Sequence, residues 1–167
     1  MDVTTGKLNL QSADVVRAVY DQAAERNLRS PRRTGSTVEL GDSGTLTVSG
    51  DIHDHRTNFV KLVRLAALKR DPANQLILQE MVHGEKLYNN MDLSYRMVAE
   101  AAQLQLAAPD RVHVLMSNHE LAQVTGEDIA KHGVSSVEAF HRGLEYVFGD
   151  DCDPVHESFE NYVRSLP

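Results

Sequence analysis

Cysteine is almost missing from this chain: Cys152 is the only one in 167 residues. No internal disulfide can form, and no cysteine-based zinc cage can start from a single thiol. A reducing, cytoplasmic setting is therefore the expectation, with Cys152 a bystander. Basic charge is also scarce, since 17 Lys and Arg stand against 24 Asp and Glu for a formal net charge of -7. That balance argues against a protein that grips nucleic acid by neutralising its phosphates with a basic face. A small phosphorylated substrate stays open, because a metal ion can supply positive charge locally. The N-terminus MDVTTGKLNL lacks the basic start and apolar run of a secretory signal, and no apolar stretch approaches membrane-spanning length. Repeats and low-complexity tracts are absent as well. A soluble chain with neither a nucleic-acid nor a membrane partner is expected, and its 41% hydrophobic content is enough for one core.

What is present is a succession of alternating elements. From Ser12, the residues Val15, Val16, Ala18, Val19, Ala23 and Ala24 recur at helical spacing, and Asn27 suits a helix end. Residues 29–33, rich in arginine and containing Pro31, read as a solvated loop. Thr37 to Leu40 and Thr45 to Val48 are short β-branched runs separated by Gly41, Asp42, Ser43 and Gly44, which predicts a hairpin. Phe59, Leu62, Val63, Ala66 and Ala67 then mark a helix that Asp71-Pro72 stops. Leu76, Ile77 and Leu78 form a continuous apolar run, the mark of a strand covered on both faces. A long helix is expected from Lys86 to about Ala108, ended by Pro109. Val112, Val114, Leu115 and Met116 give a third buried strand. Beyond Glu120 the chain reads as helical, with Val137, Phe140, Leu144 and Val147 on one stripe and Phe159 and Val163 on another. This strand-helix alternation predicts an α/β fold with a mainly parallel sheet flanked by helices. We divide the chain into an N-terminal helical segment, 1–34, and a domain over 35–167.

In such sheets ligands gather beyond the carboxyl ends of the strands. Gly50-Asp51-Ile52-His53 follows the first main strand, Gln79-Glu80-Met81-Val82-His83 the second and Ser117-Asn118-His119-Glu120 the third. Carboxylate, imidazole and amide oxygen at one sheet edge form a donor set suited to manganese, iron or zinc. In a two-metal hydrolase such ions polarise a phosphoryl group and activate water. Asp51 and His53 can converge on one ion, Glu80 can bridge, Asn118 can serve a second ion, and His119 can protonate a leaving oxygen. Taken singly, the same residues also read as a helix entry, a loop histidine, a strand-end charge and a helix N-cap. His55, His113, His132, His141 and His156 show no paired metal spacing and read as surface or packing residues.

In order and interval, VSGDIHD at 48–54, LQEMVHGE at 78–85 and LMSNHE at 115–120 resemble the GDxHG, GDxxDRG and GNHE motifs of calcineurin-like metallophosphoesterases. The phosphoprotein (serine/threonine) phosphatase branch is the most similar, and the likeness runs from about Thr45 to the end. It implies half of a four-layer α/β/β/α sandwich, two divalent ions, metal ligation by Asp51, His53, Glu80 and Asn118, and His119 as the leaving-group acid. The implied partner is a phosphorylated substrate, either a phosphoprotein or a small phosphoester. Departures from the pattern fall at Glu80 in place of the bridging aspartate, His83 in place of the acid-orienting aspartate, and Gly84 and Met116 in place of arginines. Asp54 and Ser117 stand where the family has glycine, so both turns are expected to need a conformation that a side chain tolerates. Two further metal-binding histidines of the family would lie beyond Pro167, so the chain is expected to be a truncated copy of a longer enzyme. Three functions remain open on these residues: hydrolysis of a phosphate monoester, a catalytically degenerate binding or scaffold module, and hydrolysis of a dinucleoside polyphosphate.

Overall fold

The computed structural model describes residues 7–84, 89–127 and 135–167. Helix α1 (Ala13–Leu28) leads into a small antiparallel hairpin, β1 (Arg33–Thr34) and β2 (Thr37–Val38). Then come β3 (Leu46–Asp51), α2 (Arg56–Ala66), β4 (Gln75–Gln79), α3 (Tyr95–Ala107) and β5 (Val112–Leu115). Three helices follow: α4 (Asn118–Thr125), α5 (Ser136–Phe148) and α6 (Cys152–Arg164), the last preceded by a 3-10 turn at Gly149–Asp151. Among the described residues, no helix is long and apolar enough to cross a membrane.

The three main strands form a parallel sheet in the order β3-β4-β5, so the alternation of strands and helices in the sequence does correspond to an α/β architecture. In register, Thr47 lies beside Leu76 and Leu76 beside Val112. Thr47, Ser49, Leu76, Leu78, Val112 and Val114 are all buried, as one face of a pleated sheet packed on helices requires. Alternate residues face the other way, and that face is sealed only in part: Gln75 and His113 are buried, but Leu46 is 45% and Val48 56% exposed, while Ile77 and Leu115 are half-buried. The run Leu76 to Leu78 is thus covered fully on one face only.

The core continues into a layer of helices. The Tyr20 ring of α1 stacks on Tyr162 of α6 at 5.6 Å and meets Phe159 edge-on at 5.8 Å. Each buried hydroxyl finds an acceptor, Tyr20 at the Tyr95 carbonyl (2.8 Å) and Tyr162 at Gln105 Oε1 (2.5 Å). Residues of α1, α3, α5 and α6 therefore share a single hydrophobic cluster with the sheet.

Three expectations are corrected. The hairpin forms one element earlier than predicted: Thr37–Val38 pairs with Arg33–Thr34 across Gly35-Ser36, and β3 pairs in parallel with β4 instead. Gly35, with φ +62°, supplies the two-residue turn, whereas pairing beside β4 buries Thr47 and Ser49. Consequently Arg33, read as loop, lies in a strand, and its guanidinium donates to the carbonyls of Ser165 and Leu166. The third helix begins at Tyr95 rather than Lys86. Residues 85–88 fall outside the described residues, but at 92–94 a local side-chain turn precedes the helix, with the Asp92 carboxylate accepting from the Ser94 amide at 2.8 Å. Finally, the helical region after Glu120 is divided, because Gly126 at φ +70° closes α4.

One close approach fixes the segment that carries Asp92. Gly143 of α5 lies against it so tightly that a Cβ there would sit 1.9 Å from the Asp92 carbonyl oxygen. The Asp92 amide donates to Ala139 of the same helix at 2.9 Å. Alanine at 143 gains helix propensity, yet overpacking against backbone outweighs that gain. Gly143→Ala is expected to cost a net ~2 kcal/mol of stability, measured by urea denaturation; an unchanged or raised midpoint would contradict the packing.

Candidate metal centre

The parallel register brings three strand ends to one edge, and hydrogen bonds then lock the loops that follow. The amides of Ile52 and His53 both donate to the Glu80 carbonyl at 3.0 and 2.8 Å, and the Asp54 amide donates to Met81 O at 2.9 Å. Glu120, only 1% exposed, receives the amides of Met81 (2.8 Å) and Val82 (3.2 Å) on one carboxylate oxygen and hydrogen-bonds the Ser117 hydroxyl with the other. Ser117-x-x-Glu120 has the spacing of a capping box. Here its carboxylate reaches across to the neighbouring loop instead of the Ser117 amide.

His53, Glu80 and His119 are thereby brought to one point, with their donor atoms all within 4.8 Å of one another. His53 Nε2 lies 3.4 Å and His119 Nε2 3.3 Å from the same oxygen, Glu80 Oε1. Two ligands bonded at about 2.1 Å around a tetrahedral ion stand about 3.4 Å apart, so the His53–Glu80 separation fits one edge of a coordination polyhedron. The other nitrogen of His53, Nδ1, is 3.1 Å from the Val82 carbonyl and donates to it. In the neutral ring this leaves the Nε2 lone pair directed at a carboxylate oxygen, an arrangement that repels unless a proton or a metal cation lies between them. The donor set thus fits a divalent cation.

Of the other residues expected as ligands, Asp51 does not join that group of carboxylate and imidazole donors. Asp51, at the exposed end of β3, accepts from Gln79 Nε2 at 3.3 Å. Asn118 opens α4 on the surface. Both remain at the same sheet edge, since Asp51 is in register with Gln79, the residue before Glu80.

Behind the group lies a buried polar layer that sequence reasoning missed in part. His83 donates from Nδ1 to Asp92 at 3.0 Å and accepts at Nε2 from Gln123 at 3.0 Å, with its ring 5.0 Å from that of His119. Asp54 stands beside Asp92, and burial first, then the Asp92 charge, raise its carboxyl pKa to about 6 against the opposing pull of Arg96 and Arg56. Gly84 admits no side chain, since a Cβ there would fall 2.5 Å from Asp54 Cβ. Asp92 carried no motif, and its role arises from tertiary placement. Glu120 did have a signal, the capping-box spacing.

The backbone at these loops is unusual. His53, Asp54, Glu80 and His83 adopt φ of +47°, +52°, +50° and +63°, a region that residues with a side chain seldom enter. The expectation of a tolerated turn applies at Asp54; Ser117, by contrast, is extended with φ −106°. No model of a known protein family matches the chain, and no curated protein matches it.

Removing the Glu120 carboxylate leaves two buried amides without an acceptor. Glu120→Ala is expected to lower the unfolding free energy by about 3 kcal/mol, whereas Glu120→Gln, which keeps one acceptor oxygen, loses less. Coincident denaturation curves for Glu120→Ala and the native protein would show that the tie carries no weight.

Proposed function

We propose that this chain is a metal-dependent hydrolase of phosphate monoesters, in the manner of the calcineurin-like phosphoesterases that its three motifs resemble. The observation that carries this reading is the meeting of His53, Glu80 and His119 from three successive strand-end loops. His53 and Glu80 hold a manganese, iron or zinc ion, and Asp51 and Asn118, at the same edge, are the residues for a second one. A bound cation supplies Lewis acidity, polarising the phosphoryl group and activating water. His119 protonates the leaving oxygen. The carboxylate-linked His83 packs against His119 and limits its movement. Phosphorylated serine or threonine in proteins and small phosphoesters are the substrate class. The sheet is half of a two-sheet sandwich, and the partly open face with Leu46, Val48, Ile77 and Leu115 is where a second sheet would pack.

A second reading is favoured by a specific observation: Gly84 has no room for the arginine that would clamp a phosphate, and Asp51 stays outside the donor group. On that reading the chain keeps the fold and one cation as a binding or scaffold module without turnover.

Metal content and turnover separate the two. The hydrolase reading expects manganese-dependent cleavage of both aryl and alkyl phosphates, abolished in Glu80→Gln. His119→Ala is expected to retain metal and to lose about 10²–10⁴-fold on alkyl phosphates, and less on an aryl phosphate whose leaving group needs no proton. Metal uptake without turnover in the native protein supports the scaffold. Neither uptake nor turnover removes both.

A further inference from the structure

A second set of metal-type donors occurs on elements that contribute nothing to the His53, Glu80 and His119 group. Across the turn at Gly149–Asp151, His141 of α5 faces the first two residues of α6. His141 Nε2 is 3.8 Å from Cys152 Sγ and 3.6 Å from Asp153 Oδ1, and the three donor atoms all lie within 4.8 Å of one another. A tetrahedral zinc ion, with bonds of about 2.0 to 2.3 Å, sets its ligand atoms about 3.4 to 3.6 Å apart. Both separations from His141 are therefore within a few tenths of an ångström of what the ion requires.

Chemistry and surroundings point the same way. Thiolate, imidazole and carboxylate together form a borderline-soft set that suits zinc and disfavours magnesium or calcium. The local sequence Gly149-Asp150-Asp151-Cys152-Asp153 surrounds the thiol with acidic groups, and Glu145 of α5 adds to that field. His156 follows Cys152 by four residues and so lies on the same side of α6. Its ring is 5.6 Å from the His141 ring, and its Nε2 is buried with no hydrogen-bond partner.

We propose that His141, Cys152 and Asp153 form a zinc-class cation site that ties α5 to α6, with its fourth position beside His156. On binding, Cys152 releases its proton to solvent and coordinates as the thiolate. The site is structural in character, since both helices that carry it bury their other faces in the shared core. It depends neither on the phosphoesterase reading nor on the strand-end donors.

Cobalt(II) provides the test, because a cobalt–thiolate charge-transfer band in the near ultraviolet can arise only at the one cysteine of the chain. The native protein is expected to develop this band saturably at one thiolate-bound cobalt per chain, and zinc is expected to abolish it by displacement. Glu80→Gln, which alters only the strand-end group, should leave the band intact, and Cys152→Ser should remove it. The His141 side chain is 43% exposed, so His141→Ala is expected to fold and to weaken cobalt affinity at least ~10-fold. Absence of the band in the folded native protein would overturn the proposal. So would a His141→Ala titration that overlays the native one, since the thiol would then be acting alone.

Discussion

The candidate metal centre depends on the buried carboxylate of Glu120. Its oxygens receive the amides of Met81 and Val82 and hydrogen-bond the Ser117 hydroxyl, so the loop after β4 and the start of α4 move as one piece. A buried charge is tolerable only when its acceptor capacity is met, and here three donors meet it. The consequence is geometric. Glu80 immediately precedes the clamped amides and His119 immediately precedes Glu120, so the clamp fixes the two sides of the site through single-residue levers. The third side follows from the backbone bonds of Ile52 and His53 to the Glu80 carbonyl.

Much of this was legible in the sequence because it follows from periodicity. The apolar spacing in α1 and α2, the buried runs of β4 and β5 and the stop at Pro109 are local signals, and the parallel sheet follows from their alternation. His53, Glu80 and His119 were identifiable because each lies within four residues of the carboxyl end of a main strand. What the sequence could not reveal depends on competition between distant partners. Thr37–Val38 had two possible neighbours, and the shorter Gly35-Ser36 turn prevailed once β3 was taken by β4. The start of α3 moved to Tyr95 because Asp92 is held by α5 and by the Ser94 amide, neither of which a helical pattern reveals. Asp51 was expected as a ligand from its place at a strand end, and its carboxylate instead accepts from Gln79.

The polar layer behind the centre shows how substitutions can replace one another. Where the resemblance would have an aspartate, the chain has His83, and a carboxylate nonetheless arrives from Asp92 through that imidazole. Asp92 reaches this place because Gly143 lets α5 lie directly on its backbone. A glycine in a helix more than 20 residues from the nearest motif thus decides which charge stands behind His119.

The left-handed conformations of His53, Asp54, Glu80 and His83 have a consequence for how this protein tolerates heat. Each such residue costs on the order of 1 kcal/mol or more that the rest of the fold must offset. With four of them in the two loops that follow β3 and β4, that cost is concentrated around the donor cluster and not in the aromatic core. Variants selected for heat resistance alone would therefore be drawn to glycine at Asp54 first, where the backbone relaxes and no donor atom is lost.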